Sequence, residues 1–267
     1  MNMLQALVFG FIQGFGEMLP ISSSAHLVLY PYFFNFPDPG LAFDVALHVG
    51  TLVAILAYFW RDWLNILGSL PKLVYERKVT SQTQKLALLL LIASVPGAIF
   101  GVLLGGLAET AFRNPLLIAA TLVSGGAVLW VADHSDRGTK ALKDISYRNS
   151  FWIGLAQAVA IIPGVSRSGA TIIAGLFSGI KREDAARFSF LMAAPIIAGA
   201  ALVKAKDLSP AMLTSGVFWV AMLSAAVSSA LAIKLLLVLV RKHHFDIFVY
   251  YRFALAAIVV LVYLSRR

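Results

Sequence analysis

Two short stretches concentrate reactive side chains in an otherwise apolar chain. The first, "EMLPISSSAH" (17–26), holds the carboxylate of Glu17, the hydroxyls of Ser22, Ser23 and Ser24, and the imidazole of His26. Gln13 precedes Glu17 by four residues, which places both on one face of a helix. The second, "PGVSRSGAT" (163–171), sets Arg167 between Ser166 and Ser168 and follows it with Gly169 and Thr171. Hydroxyls that open a helix cap its free N–H groups, and such a terminus favours an anion. A guanidinium fork among hydroxyls is, in physical terms, a phosphate clamp. Singly, each group could be structural, the serines as caps and Arg167 as a paired charge. Together they suit binding and cleaving a phosphate ester or anhydride. Asp44 and His48, again four apart, could join Glu17 and His26 in an oxygen and nitrogen metal site, although helix packing accounts for that spacing equally well.

The elements that must position these groups are membrane helices. Of the 267 residues 60% are hydrophobic and only 13% charged, and the mean hydropathy is +0.83; a chain so poor in polar surface reads as an integral membrane protein. Its net charge of +9 falls in short clusters between apolar runs, a distribution that suits orientation against anionic headgroups and excludes a nucleic-acid face. There is no cysteine, hence no disulfide framework, thiolate nucleophile or Cys-ligated metal. Six runs are long enough to span, at about 42–60, 84–105, 115–132, 185–203, 211–240 and 247–264. Lys234 and Arg252, inside the later runs, read as snorkelling or paired structural charges, and Trp60, Trp63 and Trp130 as interfacial anchors.

Regions 3–34 and 151–180 are apolar but broken by "LPISSSAH" and "IPGVSRSGAT". Each half is too short to span, which predicts two re-entrant helical hairpins. The Ser23-Ser24-Ala25 triplet imitates a signal-peptidase site. No basic residue precedes it, however, and Gln13, Glu17 and Pro20 interrupt the run, so the stretch reads as mature protein. The two regions align at an offset of 144, Gln13 with Gln157, Ser22 with Ser166, Ser23 with Arg167 and Ser24 with Ser168, which points to a duplication. Threading six spans and two returns puts 61–83, 133–150, 181–184 and 241–245 on one side. That side carries Arg61, Lys72, Arg77, Lys78, Arg137, Lys140, Lys143, Arg148, Lys181, Arg182, Arg241 and Lys242, with Lys85 at its edge. The other carries Arg113, Lys204, Lys206, Arg266 and Arg267. The positive-inside rule makes the first side cytoplasmic and both termini external. The two repeats, approximately 1–132 and 150–267 of one membrane domain, are then inverted, and their broken tips can meet within the membrane.

The sequence resembles the bacitracin-resistance family of undecaprenyl-diphosphate phosphatases along essentially its whole length. The family's Glu-or-Gln-x-x-x-Glu motif, followed by Pro-x-Ser-Ser and a histidine, corresponds to Gln13, Glu17, Pro20, Ser22, Ser23 and His26. Its Pro-Gly-x-Ser-Arg-Ser-x-x-Thr motif corresponds to Pro163, Gly164, Ser166, Arg167, Ser168 and Thr171. The resemblance implies hydrolysis of the terminal phosphate of a polyprenyl diphosphate lipid, which recycles the carrier for peptidoglycan and confers bacitracin resistance. It implies a divalent cation (Mg²⁺ or Ca²⁺), homodimers in the bacterial plasma membrane, and a site open to the outer face. Glu17, Ser23, His26 and Arg167 are the expected catalytic residues, with Ser23 or a water as the attacking group and Glu17 as the metal ligand. Gln13, Ser22, Ser24, Ser166, Ser168, Gly169 and Thr171 are the expected substrate-binding residues. Gln13 is a departure from the acidic form of the motif, since an amide brings no negative charge to a cation. A carrier that moves polyprenyl phosphate across the bilayer would use the same mid-membrane anion site.

Overall fold

The computed structural model describes residues 2–135 and 138–266; Arg137 and Arg267, two of the basic residues used to orient the chain, lie outside the described residues. Among those described there is no strand, and one isolated bridge joins Lys140 to Ile180. Six helices are long and apolar enough to cross a membrane: α3 (Leu41–Tyr58), α5 (Gln82–Glu109), α6 (Pro115–Ser135), α9 (Arg182–Lys204), α11 (Gly216–Leu239) and α12 (Asp246–Ser265). The protein is thus an all-α, multi-pass membrane protein. All six coincide with the apolar runs, because in hydrocarbon every backbone N–H must find its partner within the helix. The fifth run starts later than its hydropathy suggests: a short α10 (Pro210–Leu213), capped by Ser209, precedes α11.

Between the spans lie two helix–break–helix pairs, α1 (Met3–Met18) with α2 (Ser23–Phe34), and α7 (Tyr147–Val159) with α8 (Arg167–Phe177). Their 16, 12, 13 and 11 residues rise about 1.5 Å each, so none covers roughly 30 Å of hydrocarbon. The first helix of each pair is clasped by a span through small residues. A Cβ on Gly10 of α1 would lie 2.1 Å from the Ala221 carbonyl oxygen of α11, and one on Gly154 of α7 would lie 2.4 Å from that of Ala93 on α5. This is the close backbone approach by which small residues pack membrane helices. Gly10→Val should therefore destabilise the bundle by about 3 kcal/mol, since a backbone oxygen cannot give way as a side chain can. A thermal midpoint in detergent equal to that of the unaltered protein would contradict this packing.

Contacts between connecting segments sort them into two faces. On one, Asp133 pairs with Arg182 and His244, Lys140 with the 178–181 backbone, Lys85 with the Lys143 carbonyl, and Arg187 with Asp62. On the other, Arg113 grips Asp38 and Asp44, and Arg266 caps the Tyr32 and Phe33 carbonyls at the end of α2. The connecting segment 61–83 contains a helix of its own, α4 (Trp60–Glu76), whose Trp63, Ile66 and Leu70 turn to the core while Leu64, Leu67 and Val74 stay exposed. Arg252 departs from expectation. It neither snorkels nor pairs with a carboxylate among the described residues, but is fully buried against backbone carbonyls.

Candidate active site

The two breaks are built alike. Ser22 and Ser166, which align at the sequence offset of 144, both take positive φ, 72° and 74°, a conformation that costs a non-glycine residue roughly 1–3 kcal/mol and persists only where its surroundings impose it. Each hydroxyl accepts from the amide three residues on, Ala25 at 3.4 Å and Gly169 at 3.1 Å. Each also lies 3.2 Å from the hydroxyl two residues on, that of Ser24 or Ser168. The breaks then join: the Gly164 amide donates to Ser22 Oγ at 3.0 Å, and Ser168 Oγ donates to the Leu19 carbonyl at 2.9 Å. Two helix N-termini, those of α2 and α8, consequently open at one place.

Beside this junction lies a cavity of about 170 Å³, lined by Glu17, Ser23, Ser24, His48, Ser166 and Arg167 and walled by Val45, Ile196, Ile197 and Ala200. A larger cavity of about 330 Å³ lies on the opposite face between Lys85, Lys143 and Asp184; it contains none of the clustered hydroxyls and no histidine, so the smaller one is the candidate site. Its volume is well below the ~300–1,000 Å³ of sites that enclose drug-sized ligands. It suits a charged headgroup whose chain remains outside, along the apolar wall of α9.

Glu17 is the hub. Its Oε1 accepts a fork from Arg167, Nε at 3.1 Å and Nη2 at 2.9 Å, while Arg167 Nη1 donates to the Ser189 carbonyl at 2.9 Å. Its Oε2 accepts from Ser23 Oγ at 2.5 Å and from Gln13 Nε2 at 3.5 Å, and faces His48 Nε2 at 3.3 Å. The other nitrogen of His48 lies 2.7 Å from the Asp44 carbonyl. Both ring nitrogens face acceptors, and only the doubly protonated imidazole can donate to both. Ser23 and the Arg167 fork thus share the two oxygens of one buried carboxylate, across the junction of the two breaks.

The remaining predicted residues have other contacts. His26 lies away from the cavity, with Nδ1 2.7 Å from the Ser22 carbonyl and Nε2 2.6 Å from the Tyr251 hydroxyl, its ring stacked on Tyr251. Ser22 and Ser168 tie the breaks together, as described above. Gly169 packs on Ser166, and Thr171 Oγ1 lies within bonding distance of the Arg167 and Ser168 carbonyls and Ser189 Oγ. The Asp44 carboxylate turns to Arg113 at 3.1 Å. Ser189, which orients Arg167, is absent from the sequence reading; its only sequence signal is a lone hydroxyl in an apolar span.

The fold and this pocket define a multi-pass membrane protein whose buried polar pocket is assembled where two broken helices meet. Comparison with known proteins is specific. A model of the bacitracin resistance protein BacA family matches residues 6–258. An undecaprenyl-diphosphatase of Moorella thermoacetica is 54% identical over 267 residues, covering 100% of both chains. Those of Pelotomaculum thermopropionicum and Desulforudis audaxviator are 46% and 45% identical, each over 100% of this chain and 99% and 100% of the relative. The chain belongs to the bacitracin resistance protein BacA family.

Proposed function

We propose that the protein is an undecaprenyl-diphosphatase, which hydrolyses the terminal phosphate of a membrane-bound polyprenyl diphosphate and returns the monophosphate carrier to peptidoglycan synthesis. Loss of the diphosphate that bacitracin sequesters is the basis of the resistance. The observation that carries this reading is Glu17 held between Ser23 and Arg167. In the proposed reaction Ser23 Oγ attacks the terminal phosphorus as its proton passes to Glu17 Oε2. The anhydride P–O bond breaks, the lipid monophosphate leaves with that electron pair, and water then cleaves the phosphoserine to inorganic phosphate. Arg167, fixed by Ser189, and the amides at the α2 and α8 N-termini stabilise charge on the transferring group; positioning and electrostatics supply most of the catalysis in phosphoryl transfer.

A divalent cation fits the residues present. Gln13 Oε1 is buried without a hydrogen-bond partner, next to Glu17, and Mg²⁺ or Ca²⁺ takes such amide and carboxylate oxygens together with phosphate oxygens and water. Glu17 and Gln13 would hold the ion, which when bound neutralises charge on the diphosphate. The two pairs are proposed to be re-entrant hairpins of an inverted repeat; their lengths, their matching breaks and the sorting of connecting segments support this. The basic face is proposed to be the cytoplasmic one in a bacterial inner membrane, and the position of Ala200, toward the opposite end of α9 from that face, supports a cavity mouth on the outer side. A homodimer rests on the family resemblance and is checked by mass in detergent.

Phosphate release from polyprenyl diphosphate by purified protein, with and without chelator, tests the function. Lipid movement in reconstituted vesicles without phosphate release would instead favour a carrier. His48→Ala should lower kcat by about 10²-fold, the cost of a misplacement on the order of 1 Å, because His48 Nε2, 3.3 Å from Glu17 Oε2, helps hold that oxygen against Ser23. His26 acts at one remove, through Ser22 and Tyr251, so Tyr251→Phe should reproduce part of the loss caused by His26→Ala. An unaltered kcat in His48→Ala would remove that histidine from the scheme.

A further inference from the structure

We infer that Arg252 is a positioning residue for the reaction: from α12 its guanidinium fixes the two broken tips in register with each other. The inference rests on the functional reading above. Arg252 is fully buried in mid-helix, and its donors all go to backbone carbonyls. Nη2 donates to Gly164 at 2.6 Å, Val165 at 3.1 Å and Thr121 at 3.3 Å; Nη1 donates to Pro20 at 3.3 Å; Nε donates to Leu122 at 3.1 Å. One acceptor therefore belongs to the first break, two to the second and two to α6. Breaking a helix inside a membrane strands carbonyls that water cannot reach, and a planar guanidinium with five N–H groups can serve several at once.

The consequence lies in which carbonyls these are. Val165 is two residues before Arg167, and Pro20 is three before Ser23. Whatever fixes those carbonyls fixes how the phosphate fork of one tip faces the nucleophile of the other. Arg252 does not line the cavity, so it acts on the pocket through backbone. Its slot is cut to size: a Cβ on Gly125 would lie 2.2 Å from Nη2, and one on Gly169 would lie 3.2 Å from Nη1. From the neighbouring position Tyr251 reaches His26 on α2. One turn of α12 thereby holds both broken pairs.

A lysine keeps the charge but offers donors from one point, which separates register from charge. Arg252→Lys should lower kcat by about 10²-fold, the cost of a misplacement on the order of 1 Å, while KM stays within about threefold. Gly125→Ala, which leaves Arg252 in place but pushes its guanidinium aside, should lower kcat in the same direction. It should add little to Arg252→Lys, since the two act through one contact set. Register can also be read without activity: the Gly164 amide, which donates to Ser22 Oγ across the two tips, should be protected from hydrogen exchange in the wild type and exchange faster in Arg252→Lys.

Wild-type kcat in Arg252→Lys overturns the inference, as does a fully independent effect of Gly125→Ala or unchanged exchange at the Gly164 amide. If Arg252→Lys fails to fold, Gly125→Ala decides alone, and wild-type kcat in that variant counts against the inference. Wild-type protein that releases no phosphate overturns the functional reading, and exchange at the Gly164 amide then decides whether Arg252 sets the register.

Discussion

Arg167→Ala is expected to slow phosphate release by about three orders of magnitude, and Arg167→Lys to recover little of it. Arginine groups that stabilise a transferring phosphoryl contribute on the order of 10³–10⁵ to kcat, and here the fork is oriented before substrate arrives, by Glu17 on one edge and the Ser189 carbonyl on the other. A lysine ammonium can satisfy either partner as a point charge but cannot present two parallel donors. Both variants also leave Glu17 short of its main counter-ion, and a buried carboxylate that loses one partner costs roughly 3–5 kcal/mol. A fall in thermal midpoint should therefore accompany the kinetic loss. Kinetics on monodisperse protein below that midpoint separate the two effects. Retention of full activity in Arg167→Ala would end the site assignment.

The spans were legible because lipid leaves a chain few choices: an uninterrupted apolar run must become a helix. The interruptions were legible because Pro20 and Pro163 stand beside clustered hydroxyls that cap a new helix start, whereas Pro96 and Pro195, without such a cluster, continue inside α5 and α9. What could not be read is which helix each polar group faces. The i, i+4 rule brings Gln13 to Glu17 and Asp44 to His48, and both pairs stand on common faces, yet it is silent on α3 packing beside α1 so that His48 meets Glu17. His26 shares a motif with Ser23 but falls on the turn of α2 directed at Tyr251. Arg252 was read as a snorkelling or paired charge because its partners are backbone oxygens, which every residue carries and no sequence pattern marks. The helix α4 was hidden differently: its inward positions 63, 66 and 70 have helical spacing, but the segment is too polar to count as a span and was assigned only to the basic side.

Glu17→Gln should be as damaging as loss of Arg167, about 10³-fold in kcat, and Ser23→Ala nearly equal to it. The substitution keeps the shape of the side chain while removing the charge that both Ser23 and Arg167 address through their 2.5 Å and 2.9 Å contacts. An amide oxygen can still accept from the Ser23 hydroxyl but cannot carry away its proton, and general-base contributions of about 10²–10⁴ are at stake. Groups that act as one unit lose their effect together, so Ser23→Ala introduced into Glu17→Gln should cost almost nothing further. Covalent chemistry separates the two routes left open by the sequence. With substrate labelled in its terminal phosphate, acid quenching during turnover should leave label on the wild-type chain at Ser23 and none on Ser23→Ala. An attack by water predicts the opposite pattern, with no label on either protein and a Ser23→Ala enzyme within about tenfold of wild type, because Glu17 would then activate the water and the serine would serve only to bind phosphate. The short Ser23–Glu17 contact is what favours the serine, since it places the proton to be removed and the group to receive it side by side before any substrate is bound.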